Sequence, residues 1–326
     1  MLSDFSRRRL LACGASALAF APSFARADAP HAQLITTPPP ELIDGFTDMT
    51  DRLMLETIID GKGPYRFVVD TGADRSVIAS DVAEDLGLLA HRDVVVQGIV
   101  RALPAPTVRV QNLSFGKITL DDIAAPVLPR KWLGADGFLG LDVIDGRKVV
   151  FDFQNRKLSV ERSGSSTGWP HFNDIVVRVD GSNGRLKAVD CVVDDVSAVA
   201  FIDSGAQLSI CNTPLFNELQ KGGARAIDGA EIPLIGATGG LMLGRLMQVE
   251  RIRLGDVLFT KTRLAISDLN VFDVWGLAKK PALFIGMDFL QQCSNFTIDY
   301  RHKELRFKLA DYISRKEWQG GRLASA

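Results

Sequence analysis

Two short motifs, Asp70-Thr71-Gly72-Ala73 and Asp203-Ser204-Gly205-Ala206, present the same chemistry at two points of one chain. Each follows an apolar run, Phe67-Val68-Val69 and Ala200-Phe201-Ile202, so each aspartate is expected where a strand passes into a turn. A carboxylate displayed twice in the same way suits a reaction that needs a pair. Two carboxylates held close cannot both ionise cheaply, because their repulsion raises one pKa. Such a pair keeps one shared proton and so offers an acid and a base in one place. Asp-Gly pairs are also common turns, and Asp60-Gly61, Asp145-Gly146 and Asp180-Gly181 are read that way. Asp70 and Asp203 stand apart from these because the sequence around them recurs.

The recurrence runs through most of the chain. In the first half an apolar strand, Leu53 to Ile59, and the turn Asp60-Gly61-Lys62-Gly63-Pro64 lead into Tyr65–Val69 and Asp70. In the second half Ile175–Val179, the turn Asp180-Gly181-Ser182-Asn183-Gly184 and further strands lead to Phe201-Ile202 and Asp203. A short strand follows each motif, Ser76-Val77-Ile78 and Leu208-Ser209-Ile210-Cys211. A small helix comes next, with an N-cap signal at Ser80 and a first-turn signal at Thr213-Pro214. Further on, Gly137-Phe138-Leu139-Gly140-Leu141-Asp142 parallels Leu283-Phe284-Ile285-Gly286-Met287-Asp288. Asp142 and Asp288, in register with each other, are read as structural polar groups at a turn or helix start. The segments Val150–Val160 and Thr297–Phe307 then match as β-hairpins with polar turns. Short strands punctuated by Gly, Pro and Asp predominate, so the expected class is all-β, in two similar lobes.

This combination, an Asp-Thr/Ser-Gly-Ala motif after an apolar strand and an apolar-Gly element later in each half, resembles the retropepsin-like aspartic peptidases. One chain carrying both lobes is similar to pepsin in layout. The resemblance covers roughly residues 50–162 and 173–308. It implies two β-barrel lobes related by a pseudo-twofold axis, with Asp70 and Asp203 as the catalytic aspartates. It casts Thr71 and Ser204 as the hydroxyl residues that lock the two active loops together. Gly72 and Gly205 would let the loops approach, Ala73 and Ala206 complete them, and Leu139-Gly140 and Ile285-Gly286 would pack behind them as support. A flap closing over substrate would fall near Gln97-Gly98-Ile99-Val100-Arg101 in the first lobe. In the second it would be Gly236-Ala237-Thr238-Gly239-Gly240-Leu241, where Gly236, Gly239 and Gly240 suit a closing loop. The pepsin flap tyrosine has no counterpart, since no Tyr lies between Asp70 and Gly140.

The bulk properties set bounds on the function. With 326 residues, 46% of them hydrophobic, the chain can build two cored lobes. A net charge of −1 leaves no basic footprint for nucleic acid. Ser6-Arg7-Arg8-Arg9-Leu10-Leu11, an apolar stretch to Phe24 and Ala25-Arg26-Ala27 before Asp28 read as an export signal of the twin-arginine type. Leu11-Ala12-Cys13 faintly resembles a lipoprotein box, but most of the apolar region lies after the cysteine. Beyond the signal, Cys191, Cys211 and Cys293 are too few for a disulfide framework and are read as small buried thiols. His31, His91, His171 and His302 lack metal-ligand spacing, so no metal and no cofactor is expected. No Gly-x-Ser-x-Gly elbow precedes a helix, and the chain has no phosphate loop or dinucleotide fingerprint.

The expected organisation is a signal peptide over 1–27, an extended N-terminal arm over 28–48 and a first lobe over 49–162. A linker over 163–170, a second lobe over 171–310 and a C-terminal tail over 311–326 complete it. The expected function is that of an exported, periplasmic or secreted aspartic endopeptidase, a monomer with no membrane anchor after signal removal. Its partners would be a peptide or protein substrate and the twin-arginine export machinery. The alternatives are a catalytically silent peptide-binding protein on the same fold and a two-carboxylate glycosidase.

Overall fold

The computed structural model describes residues 40–48, 52–144, 146–162, 175–180 and 187–309. The expected signal peptide, linker and C-terminal tail lie outside these residues, as do most of the arm and His31 and His171.

The first half contains β1 (Glu41–Thr47), β2 (Leu53–Ile59), β3 (Lys62–Val69), β4 (Val77–Ala79), β5 (Ala90–Gln97), β6 (Ala102–Phe115), β7 (Ile118–Leu128), β8 (Gly137–Leu139), β9 (Arg147–Asp152) and β10 (Lys157–Arg162). Three short helices, α1 (Ser80–Asp85), α2 (Arg130–Leu133) and α3 (Leu141–Ile144), lie between them. The second half contains β11 (Ile175–Asp180), β12 (Lys187–Val193), β13 (Val196–Ile202), β14 (Ile210–Cys211), β15 (Ala226–Ile235), β16 (Leu241–Leu254), β17 (Val257–Ile266), β18 (Ala282–Ile285), β19 (Cys293–Asp299) and β20 (Glu304–Leu309). Its helices are α4 (Thr213–Lys221), α5 (Asn270–Val274) and α6 (Met287–Leu290).

Each half closes a six-stranded barrel. The first runs β2-β3-β8-β4-β7-β6 and back to β2. The second runs β12-β13-β18-β14-β17-β16 and back to β12. Closure matters because an open sheet would leave unpaired backbone groups at its edges. Local signals set the turns. Asp60 and Gly61 have φ of 49° and 76°, the positive values that a two-residue hairpin loop requires, so the strand resumes at Lys62.

The lobes are joined by an antiparallel sheet in the order β1-β10-β9-β19-β20-β11. Residues 41–47 of the expected arm supply its first strand. At its centre Val150 pairs with Thr297, the two residues that the repeat aligns with one another. On either side Lys148 pairs with Asp299 and Asp152 with Asn295, so the pairing repeats when the halves are exchanged. A pseudo-twofold axis therefore passes through the Val150–Thr297 pair. Phe151, Phe296 and Phe307 pack on this sheet, with ring centroids 5.8 Å and 5.1 Å apart.

One detail of the helix starts differs from the sequence reading. Ser80 is the first residue of α1, not its cap, and Ala79 precedes it without a side-chain bond. In the second half Asn212 caps α4, its side chain accepting from the Leu215 N–H at 3.1 Å, with Pro214 in the first turn as expected.

Candidate functional site

The two motifs lie where the barrels face each other, and the parallel pairing of neighbouring strands puts them there. β3 runs beside β8, and the Asp70 N–H donates to the Leu139 carbonyl at 2.9 Å. β13 runs beside β18, and the Asp203 N–H donates to Ile285 at 3.0 Å. Leu139 and Ile285 are buried, and the glycine after each touches the back of the active loop. A Cβ on Gly140 would lie 2.5 Å from the Arg75 carbonyl carbon, and one on Gly286 would lie 2.8 Å from the Ala206 oxygen. No side chain fits at either position.

A second pair of contacts, built on serines that the sequence marks only as strand residues, fixes these loops. The Ser76 hydroxyl donates to Asp142 at 2.8 Å and accepts the Gly140 N–H at 3.1 Å. The Ser209 hydroxyl donates to Asp288 at 2.7 Å and accepts the Gly286 N–H at 2.9 Å. Asp142 and Asp288 also accept from the backbone N–H of their serines. They are structural groups, as the sequence reading expected. Ser76 and Ser209 stand at the same distance beyond Asp70 and Asp203, a recurrence that marks them in the sequence.

Thr71 and Ser204 exchange hydrogen bonds across the axis. The Thr71 N–H donates to Ser204 Oγ at 3.1 Å, and the Ser204 N–H donates to Thr71 Oγ1 at 3.0 Å. Each hydroxyl then donates onward into the opposite lobe, Thr71 to the Ile202 carbonyl at 3.2 Å and Ser204 to Val69 at 2.8 Å. Both residues are buried, so all four bonds are screened from water.

Held this way, the Asp70 and Asp203 carboxyls hydrogen-bond one another and are both buried. Asp70 Oδ1 accepts the Gly72 N–H at 2.8 Å. Asp203 Oδ1 accepts those of Gly205 at 2.9 Å and Ala206 at 3.1 Å. Burial raises the pKa of both. For Asp70 the N–H donors of Gly72 and Ala73, the bond to Asp203 and the positive charge of Arg52 oppose that rise. Asp203 meets the Asp70 charge in addition to burial, and is pushed up to about 8. The two carboxyls accordingly titrate as a pair that holds one proton between them. Carboxyls in mutual contact are closer than the roughly 5–9.5 Å that glycoside hydrolysis uses, which sets that chemistry aside.

The pair opens into a cleft of about 680 Å³ between the lobes. Two hairpins, β5–β6 and β15–β16, cover it, and their tips are the segments expected to be flaps. The tips meet. Arg101 Nε donates to the Thr238 carbonyl at 3.1 Å, and the Thr238 hydroxyl donates to the Arg101 carbonyl at 2.7 Å. Asn270 of α5 donates to the Gly98 carbonyl at 3.2 Å. A Cβ on Gly98 would fall 2.0 Å from Thr238 Oγ1, so the first tip admits the second only because it is glycine there. Gly236 and Gly240 lie against Val100, and Gly239 against Trp132.

Arg52, not singled out in the sequence, also borders the cleft. Its guanidinium is held by Asp48 at 2.7 Å and by the Leu133 carbonyl at 3.2 Å, and it lies 5.8 Å from the centre of the Phe138 ring. The three described cysteines are free and buried. Burial pushes Cys191 and Cys293 up to about 12 and raises Cys211 further, so none is a nucleophile.

Residues 55–143, which contain Asp70 and its supporting Leu139-Gly140 element, match the family described as Aspartyl protease. The first lobe is a retropepsin-like aspartyl protease lobe. No curated protein matches the chain. The match ends within α3, and the second lobe repeats its strand order strand for strand. The whole is an all-β, two-lobe aspartic protease fold, and the family points to a peptidase in the general sense.

Proposed function

We propose that the protein is an exported aspartic endopeptidase whose single site is made by both lobes of one chain. The observation that carries this reading is the contact between two buried carboxyls under unequal electrostatic conditions. The ionised member of the Asp70/Asp203 pair draws a proton from a water held between the two. The neutral member donates a hydrogen bond to the carbonyl of the bond to be cut. As the water attacks, the neutral carboxyl gives its proton to the carbonyl oxygen, which forms a tetrahedral gem-diol. The proton taken from the water then passes to the departing nitrogen as the C–N bond breaks, and a diol hydroxyl returns one proton to the dyad. The Thr71 and Ser204 bonds keep the carboxyls in place, because misplacement by about 1 Å can cost about 100-fold in rate. The hairpin tips shut water out of the cleft once substrate is bound. Export rests on the amino-terminal sequence pattern alone.

The test is cleavage of an unfolded protein across acidic to neutral pH, by the wild type and by the Asp70→Asn and Asp203→Asn variants. Wild-type cleavage that either substitution lowers by at least about 1,000-fold is the expected result. A wild type that cleaves nothing while still binding peptide would favour the silent binding protein. Release of the mature chain into the periplasm, stopped by Arg7→Lys/Arg8→Lys, would test the export signal.

A further inference from the structure

The pseudo-twofold axis makes the two ends of the cleft equivalent by backbone, yet their side chains differ in charge. Arg75 stands five residues after Asp70, and the residue five after Asp203 is Leu208. Arg92 stands five residues before Gln97, which closes the first hairpin against Ala102; five before Ile235, which closes the second against Leu241, is Ala230. Arg75 and Arg92 are exposed, border the cleft, and form no ion pair among the described residues. They also border a neighbouring hollow of about 350 Å³ with His91, Val94, Thr107 and Arg109, and no carboxylate lines it. Arg109 is already paired with Asp122, which leaves Arg75 and Arg92 as its available guanidinium groups. Such a cluster is unusual on a chain in which acids slightly outnumber bases.

The other end is apolar. Phe138 and Phe284 are equivalent, each two residues before the glycine behind its active loop. Phe138 lies beneath the Arg52 guanidinium. Phe284 instead packs against Trp275 and Phe201, at ring centroids of 5.3 Å and 5.8 Å. Trp275, Phe284, Val271 and Leu234 border the cleft there, and Asp203 is the second lobe's sole charged residue among those lining it. On the first-lobe side the one carboxylate besides Asp70 is Asp74.

We infer that the cleft selects peptides carrying a carboxylate where the chain leaves over Arg75 and Arg92, and a bulky apolar side chain where it crosses Trp275 and Phe284. This rests on the proteolytic reading above and names the substrate class of that same site. Guanidinium groups pair with carboxylates through two parallel N–H bonds, which a point charge cannot do as specifically. The carboxylate could belong to an Asp or Glu side chain or to the end of the peptide.

The experiment uses quenched-fluorescent peptides around one apolar residue, with Glu, Gln or Lys at successive positions on either side, each with a free or an amidated carboxyl end. With wild-type protein, a Glu peptide should show kcat/KM about tenfold above its Gln partner at one position, with Lys lowest and the gap narrowing at high salt. Arg75→Gln/Arg92→Gln should bring the Glu peptide down to the level of the Gln peptide. A preference for free-acid over amidated peptides, without a side-chain preference, would assign the carboxylate to the chain end. Equal cleavage of all peptides would overturn the inference and leave proteolysis intact. Cleavage of none would overturn proteolysis; fluorescence anisotropy of the same peptides then decides, with tighter binding of Glu over Gln sustaining the inference and equal binding ending it.

Discussion

Gly72 of the first lobe stands directly against the Asp203 carboxyl of the second: a Cβ on Gly72 would lie 2.7 Å from Asp203 Cγ. Gly205 holds the mirrored place, 2.4 Å from Asp70 Cγ. Neither glycine has a positive φ, so the requirement is for space and not for backbone freedom. Each lobe leaves room for the other lobe's acid.

Gly72→Ala and Gly205→Ala should therefore push the carboxyls apart while leaving the barrels closed. The neighbours cannot yield cheaply, being held by the Thr71 and Ser204 bonds. We expect kcat to fall by about 100-fold or more with little change in KM, since about 1 Å of displacement suffices for that. Steady-state kinetics with near-ultraviolet circular dichroism on the same samples checks it. An alanine variant within a factor of two of wild type would show that the contact has slack.

The pH dependence follows from the state of Asp203. Its native pKa, about 8, lies above the ordinary carboxylate value of 3.8 that it regains on unfolding. Between those values the native protein holds a proton that the unfolded chain releases, so this group's contribution is full below about pH 4 and is lost as pH rises through about 8. Urea unfolding from pH 4 to 9 should show wild type losing stability relative to Asp203→Asn, which cannot titrate. A difference that grows in the opposite sense would mean the native carboxyl is ionised throughout. Activity should fall on the alkaline side over the same range.

The exchange between Thr71 and Ser204 should behave as one unit. Thr71→Val keeps the volume but leaves the Ser204 N–H without its acceptor and the Ile202 carbonyl without its donor. Ser204→Ala does the same to the Thr71 N–H and Val69. An unsatisfied buried group costs about 1–3 kcal/mol, so each substitution should destabilise by about 2 kcal/mol or more. The double variant should cost clearly less than the sum, because both side chains brace the same seam between the active loops, which the first substitution already loosens. A double-mutant cycle from urea midpoints measures this, and strict additivity would show that the bonds act independently.

Much of this arrangement was legible in the sequence because the chain repeats it. The apolar run before each aspartate, the glycine behind each loop and the matched hairpins fixed strand type and lobe count. The parallel pairing of β3 with β8 and of β13 with β18 explains why an apolar-Gly element recurs behind each aspartate although it lies 70 residues after Asp70 and 83 after Asp203. What was not legible depends on partners distant in sequence. Ser76 looks like any strand residue until β4 brings it to Asp142, and Arg52 becomes an influence on Asp70 only once the barrel closes. The first turn of α4 was legible in Thr213-Pro214, but its cap was not, because Asn212 and Thr213 both carry capping chemistry. Only the geometry shows that Asn212 takes the Leu215 N–H and also binds the Leu277 and Lys280 carbonyls. The difference between the two ends of the cleft was equally hidden, since it appears only when Arg75 and Leu208 are recognised as equivalent.

The hairpin tips give the remaining prediction. Thr238→Val removes the hydroxyl bond to the Arg101 carbonyl while preserving shape, and Asn270→Ala removes the bond that ties Gly98 to α5. A hydrogen bond of this kind contributes about 1 kcal/mol net, or about fivefold in an opening equilibrium. Amide hydrogen exchange at residues 98–101 and 236–240 should accelerate by about that factor in either variant, with exchange in β3 and β13 unchanged. If closure helps hold substrate, KM should rise by a similar factor while kcat changes less. The apolar contacts of Ile99 and Val100 against Gly236 and Gly240 supply the competing account. Under that account both polar substitutions leave exchange untouched, and Val100→Ala is the change that frees the tips.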